Sequence, residues 1–179
     1  GLMSCERPLP LDRLYLLNPG QTLDVGDRTL TGFRPPLFDN PATVGLFDDR
    51  SGVCFSSDCF GGPMSSAELA HADDVAAVDV EELRAAQLLW ATVDSPWVRN
   101  VDIEKFLGTF QTLLDREPEL VLSTHLPPAH GITDSMIDTL GSAAGESAFV
   151  GPDQAALEQM LAGFEPAGEE RRPAPGTPG

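Results

Sequence analysis

Cations are scarce in this sequence of 179 residues: Lys and Arg together number 11 against 28 Asp and Glu, a formal charge of −17. The isoelectric point falls near 4.2. Such a field repels phosphate backbones and anionic lipid, so neither nucleic acid nor a membrane surface is expected as a partner. Cysteine is equally sparse. Cys5, Cys54 and Cys59 form no C-x-x-C pair, and an odd count does not suit a secreted disulfide framework, so a reduced, cytoplasmic compartment is the expectation. No apolar run approaches the ~18 residues that span a bilayer, and no charged start precedes a short apolar stretch as in a secretory signal. The G-x-S-x-G elbow, the G-x-G-x-x-G strand–helix unit and the P-loop are missing as well. Serine hydrolysis on such an elbow and nucleotide binding of those types therefore lack support. Histidine is limited to three positions, and no His-x-His-x-Asp-His cluster occurs.

What is present argues for a real core. Hydrophobic residues make up 41% of the chain and nine are Phe, too many for an acidic disordered polymer. The length suits one domain, expected over residues 1–164, with the Gly, Pro, Glu and Arg of 165–179 forming a disordered tail. Residue 1 is Gly and the first Met is Met3, so a fragment is expected.

The N-terminal third reads as a β-meander. Leu11 to Leu17 is apolar and ends at Asn18-Pro19-Gly20; Gln21 to Val25 and Arg28 to Phe33 flank Gly26-Asp27 as a hairpin would. Thr43 to Phe47 and Val53 to Ser57 bracket a second turn. Strand alternation would place Cys54, Ser56 and Asp58 on one face. After Gly61-Gly62-Pro63 the period becomes helical. Val80 to Val93 carries Leu83, Ala86 and Trp90 on one side and closes at Ser95-Pro96. Ile103, Phe106, Leu107, Phe110, Leu113 and Leu114 predict one amphipathic helix, with Asp102 and Glu104 favouring its start. Glu119 to Thr124 reads as a buried strand entering a Pro-rich loop, followed by helices at Thr133 to Ala144 and Pro152 to Leu161. The fold class is thus α/β, one sheet with helices packed on a face.

Three residues stand where such a sheet could gather them. Asp58 ends a strand just before Cys-Phe-Gly, Asp39 sits in an Asp-Asn-Pro turn, and His125 follows the run Leu120 to Thr124. Singly, each has an ordinary explanation: a turn or cap for Asp58, an Asx-turn for Asp39, a loop hydrogen bond for His125. A histidine fixed at a strand end is nevertheless a good ligand or general base. His130 competes for the same role, whereas His71 lies in an Ala/Asp-rich loop and is expected to be exposed. Cys54 and Cys59 are expected to pack as small core residues.

Taken together, the Asp39-Asn40-Pro41-Ala42-Thr43 turn, the hairpin ending in Ser57-Asp58-Cys59-Phe60-Gly61 and the strand leading to His125 resemble the metallo-β-lactamase-fold superfamily. The likeness is nearest to its flavodiiron and oxygen-binding di-iron branch and spans roughly residues 10 to 145. It implies part of an αββα sandwich, mainly its C-terminal half, with a mixed or antiparallel sheet. It also implies a dinuclear metal site (Fe, Mn or Zn) in the complete form, with Asp58 bridging and Asp39 and His125 ligating. The family usually has a His where Asp39 stands; a carboxylate there favours iron- or manganese-like ions over zinc. The absent upstream His-x-His/Glu-x-Asp-His segment leads us to expect an N-terminally truncated chain with an incomplete site, holding part of the metal complement or none. The complete form is expected to be a hydrolase or a di-iron oxidoreductase-like enzyme acting on a small molecule. A homo-oligomer or a redox partner is the expected association, and a non-catalytic acidic α/β interaction module is the alternative.

Overall fold

The computed structural model describes residues 10–163. It is a mixed α/β fold around a six-stranded sheet: β1 Thr22–Asp24, β2 Thr29–Phe33, β3 Gly45–Asp48, β4 Val53–Phe55, β5 Leu120–Leu122 and β6 Ala129–His130. The strands lie in sequence order. Neighbours are antiparallel except β4 and β5, which run parallel with Cys54 opposite Val121. Both expected hairpins form, β1–β2 around Gly26-Asp27 and β3–β4 around Asp49 to Gly52. Gly26 and Gly52 adopt φ of +100° and +66°, which explains glycine at these turns.

Between β4 and β5 the chain crosses over through helices, as a parallel pair requires. These are α1 Ala67–Ala70, α2 Val80–Asp94, α3 Ile103–Gly108 and α4 Gln111–Leu114; α5 Thr133–Gly141 follows β6. Asp79 caps α2 by accepting from the backbone N–H groups of Glu81 and Glu82, and Asp102 caps α3 through that of Lys105. The registers place Phe47, Cys54, Val121 and Ala129 in one row across the sheet, and all four are buried. That face joins Phe106, Phe110, Leu113, Met136 and Leu140 from the helices in a single apolar cluster. The other face carries Leu46, Phe55 and Leu122 in register, of which Phe55 is exposed.

Local expectations fail at four places. Leu11 to Leu17 is not a strand: Leu11–Arg13 forms a 3-10 turn, closed by the Arg13 N–H on the Pro10 carbonyl. Leu14, Tyr15 and Leu16 are exposed, so the apolar run gains no sheet partner to bury it. The helix expected from Ile103 to Leu114 divides at Thr109-Phe110. Their N–H groups reach back three residues, to Phe106 and Leu107, and the Thr109 hydroxyl also donates to the Phe106 carbonyl. The tighter turn keeps Phe106, Phe110 and Leu113 buried at i, i+4 and i+7 while leaving Leu107 and Leu114 exposed. The Pro-rich loop after His125 contains the short strand β6, defined by its pairing with β5 rather than by any run of its own. Helix α5 ends at Gly141 and continues as a 3-10 turn over Ala143–Gly145.

Contacts divide the chain into one compact unit ending at Phe149 and a second beginning at Val150. Within the second, α6 Gln154–Ala162 starts on the Asp153 cap, whose carboxylate accepts from the Ala156 N–H. The tail expected at 165–179 lies outside the described residues.

Candidate metal centre

The parallel pair β4–β5 builds the site, because its two C-terminal ends emerge side by side. Pairing continues past the strands: the Ser56 N–H donates to the Leu122 carbonyl, that of Thr124 to Ser57 and that of Gly62 to His125. The loop bearing Asp58 is thereby laced to the loop bearing His125. Strand geometry itself stops at Phe55, so Asp58 is presented by a tight turn. Ser57 and Phe60 adopt φ of +56° and +68°, uncommon for residues with a Cβ. The buried Ser56 hydroxyl closes the turn by donating to the Cys59 carbonyl at 2.8 Å.

Helix α2 braces this turn along one face. Gln87 Nε2 donates to the Phe60 carbonyl at 3.0 Å and Trp90 Nε1 to the Asp58 carbonyl at 3.1 Å. Asp94, four residues beyond Trp90, brings its carboxylate to those of Asp39 and Asp58. One oxygen from each of the three lies within 4.8 Å of the others. Gly61 has to be glycine here, since a Cβ would meet Trp90 Nε1 at 2.7 Å and the Asp58 carbonyl at 3.0 Å.

The structure brings Asp39 and Asp58 into one cluster and places His125 beside it, against Asp58. His125 Nε2 lies 3.0 Å from Asp58 Oδ1, and the Thr124 hydroxyl donates to that same oxygen. The imidazole also packs on Trp90 with ring centroids 4.5 Å apart. Asp39 is exposed, Asp58 and Asp94 half-buried. Burial pushes the Asp94 carboxyl above its ordinary range; the negative charges of Asp58 and Asp39 push it further, and His125 opposes them. His130 is placed elsewhere: Nδ1 bonds Asp74, which tethers β6 to the 3-10 turn Val75–Ala77. His71 is exposed. Cys54 and Cys59 are buried, and burial raises both thiols, that of Cys59 to about 12, so neither is a ready thiolate.

Asp94 was not selected from the sequence. Two signals pointed to it. A carboxylate in the last turn of a helix opposes the helix dipole, and Gln87, Trp90 and Asp94 recur at i, i+3 and i+7.

Three carboxylates with an imidazole at their edge are an oxygen-rich set, the chemistry of Mn²⁺- or Fe²⁺-like ions rather than of a thiolate zinc site. Ligands on a common ion stand roughly 3 Å apart, so rotation of the carboxylates would close the 4.8 Å spread around one ion. Two ions would need about twice as many donors, and no second group of three or more His, Cys, Asp or Glu ligand atoms occurs among the described residues.

Beside the site lies a cavity of about 360 Å³, lined by His125 and Trp90 and by the apolar Met64, Leu126 and Pro127.

The sheet and its helices have a fold similar to part of that of solved flavodiiron proteins. The rubredoxin oxygen:oxidoreductase of Desulfovibrio gigas superposes with a TM-score of 0.57 at 19% identity, over 72% of this chain and 31% of that one. The flavodiiron protein of Giardia intestinalis gives 0.53 at 17%, over 72% and 30%, and a flavoprotein of Thermotoga maritima 0.55 at 15%, again over 72% and 30%. The chain thus spans about a third of the length of these structures. No family model and no curated protein matches the sequence.

Proposed function

We propose that this chain is a metal-binding member of the flavodiiron branch. On this reading Asp39, Asp58, Asp94 and His125 hold one hard divalent ion, half of what a dinuclear centre requires. The convergence of three carboxylates beside His125 at the ends of β4 and β5 carries this reading. The likeness to an oxygen:oxidoreductase and to a flavodiiron protein favours redox chemistry on a small molecule over hydrolysis in the complete form. The ion would supply Lewis acidity or an electron, and the residues of this chain fix its place. Asp58 is held by Thr124 and His125, and Trp90 packs against the His125 ring at the edge of the cavity. A second ion, and with it a dinuclear reaction, would need donors from another segment or partner. Electron delivery would likewise fall to a redox partner.

The test is a titration of chelator-treated chain with Mn²⁺, followed by loss of the free-ion electron paramagnetic resonance signal. One ion per chain is expected, with affinity reduced at least tenfold in Asp58→Asn and in Asp94→Asn. Absence of binding at millimolar Mn²⁺ and Fe²⁺ would leave the acidic scaffold as a non-catalytic interaction module.

A further inference from the structure

A second site, which uses none of the metal-site side chains, lies between the segment following β2 and the helices α3 and α4. Two cavities of about 350 and 370 Å³ open there. Arg34 and Thr109 line both, so the two cavities adjoin as unlike halves of the surface groove between these elements. The first half is apolar, walled by Pro36, Phe38, Trp97, Val101 and Phe106, with Asp102 and Lys105 also contributing to its lining. The second is the less apolar of the two: Thr31, Thr112 and Arg116 line it alongside Phe33 and Pro19, and Asp49, outside the lining, bonds both Thr31 and Arg116.

The two guanidinium groups are positioned by stacking. Arg34 Cζ lies 5.1 Å from the centre of the Phe38 ring and Arg116 Cζ 4.9 Å from that of Phe47. Each spends only part of its donor capacity on the protein: Arg34 Nη1 donates to the Thr43 carbonyl, and Arg116 Nη1 bonds Asp49. A guanidinium has five N–H donors, so both retain several for a ligand. The charge of −17 would repel an anion at long range, but exposed charges beyond about 8 Å are screened at physiological salt. Contacts inside the groove therefore decide its preference, and three of the 11 cations of the chain, Arg34, Lys105 and Arg116, line it.

We propose that the groove binds a small amphipathic anion, an aromatic or short acyl group in the apolar half joined to a carboxylate or phosphate held by Arg34 and Arg116. Each half is of ligand-pocket size. Bidentate bonding of planar or tetrahedral oxyanions is what paired guanidiniums do best.

Calorimetric titration of the full chain in chelator-containing buffer separates this site from the metal reading. The probes are 1-naphthyl phosphate, 1-naphthoate, 1-naphthol and inorganic phosphate. At least one naphthyl anion is expected to bind tenfold or more tightly than both naphthol and inorganic phosphate. Arg34→Met should weaken it at least tenfold. Because Arg34 also bonds the Thr43 carbonyl, a second variant avoids that contact: Gly108 lines the half that holds Arg116, and a Cβ there meets nothing within 4 Å. Gly108→Glu should therefore abolish binding while leaving the urea midpoint of unfolding near that of the parent. Equal affinity for naphthol and the naphthyl anions, undiminished binding by Gly108→Glu, or no binding at millimolar probe would each overturn the proposal.

Discussion

Asp48 shows how a buried carboxylate is kept in this acidic chain. At 5% exposure it accepts from the Ser51 hydroxyl at 2.6 Å, from Arg28 Nη1 at 2.7 Å and from the Arg50 N–H at 3.1 Å. The Ser51 hydroxyl and then the Arg28 guanidinium hold its pKa down to about 2, below the ~3.9 of an unfolded aspartate. A depressed pKa makes the contribution to stability complete above the unfolded value and lost as pH falls through the folded one. The urea midpoint should therefore decline between about pH 4 and pH 2, and the difference between the parent and Asp48→Asn should shrink over that window. A difference independent of pH would show that Asp48 contributes packing alone. The sequence pattern puts Asp48 in a turn; its pairing with Leu30 and Val53 makes it a strand residue. Asp58 and His125, by contrast, stand out in the sequence because each follows a short apolar run, Val53 to Phe55 and Leu120 to Leu122, with two hydroxyl residues between.

At the scale of elements, α2 links the core to the site. Ala86 and Ala91 are buried, while Gln87, Trp90 and Asp94 face the turn that presents Asp58. Its start depends on Asp79, which accepts two backbone N–H bonds that otherwise have no intrahelical partner. Asp79→Ala should cost about 1 kcal/mol of stability, measured by urea unfolding. Mn²⁺ affinity should change little, since the site lies at the other end of the helix. A large loss of affinity would mean that α2 transmits the position of its first turn to Asp94. The period of α2 was readable from Leu83, Ala86 and Trp90 at helical spacing, although its buried positions include Gln87 and Thr92 and Leu89 and Val93 are exposed. The α3–α4 break was not, since a turn of i→i+3 bonds preserves the same buried positions. Nor was β6, two residues long and fixed only by what it pairs with.

For the whole molecule, the balance of charge is the dominant electrostatic fact. Self-repulsion at a net −17 opposes compaction, and three arginines near the β1–β2 and β3–β4 turns offset it locally by pairing with Asp27, Asp48 and Asp49. Raising NaCl from 10 to 300 mM shortens the Debye length from about 30 Å to under 10 Å. The urea midpoint is expected to rise over that range; a fall would mean that the surface ion pairs outweigh the repulsion. Among the described residues no helix is long and apolar enough to cross a membrane. By itself the sequence determined the hairpins, the long helix, the apolar strand that precedes His125 and the excess of acid, because turn chemistry, periodicity and charge are local properties of the chain. Only the tertiary structure decided that Asp94 joins Asp39 and Asp58, that His130 turns away to Asp74, and that Arg34 and Arg116 share a groove. Those neighbours are far apart in sequence, and their proximity arises from the parallel pairing of β4 with β5 and the packing of helices over the sheet.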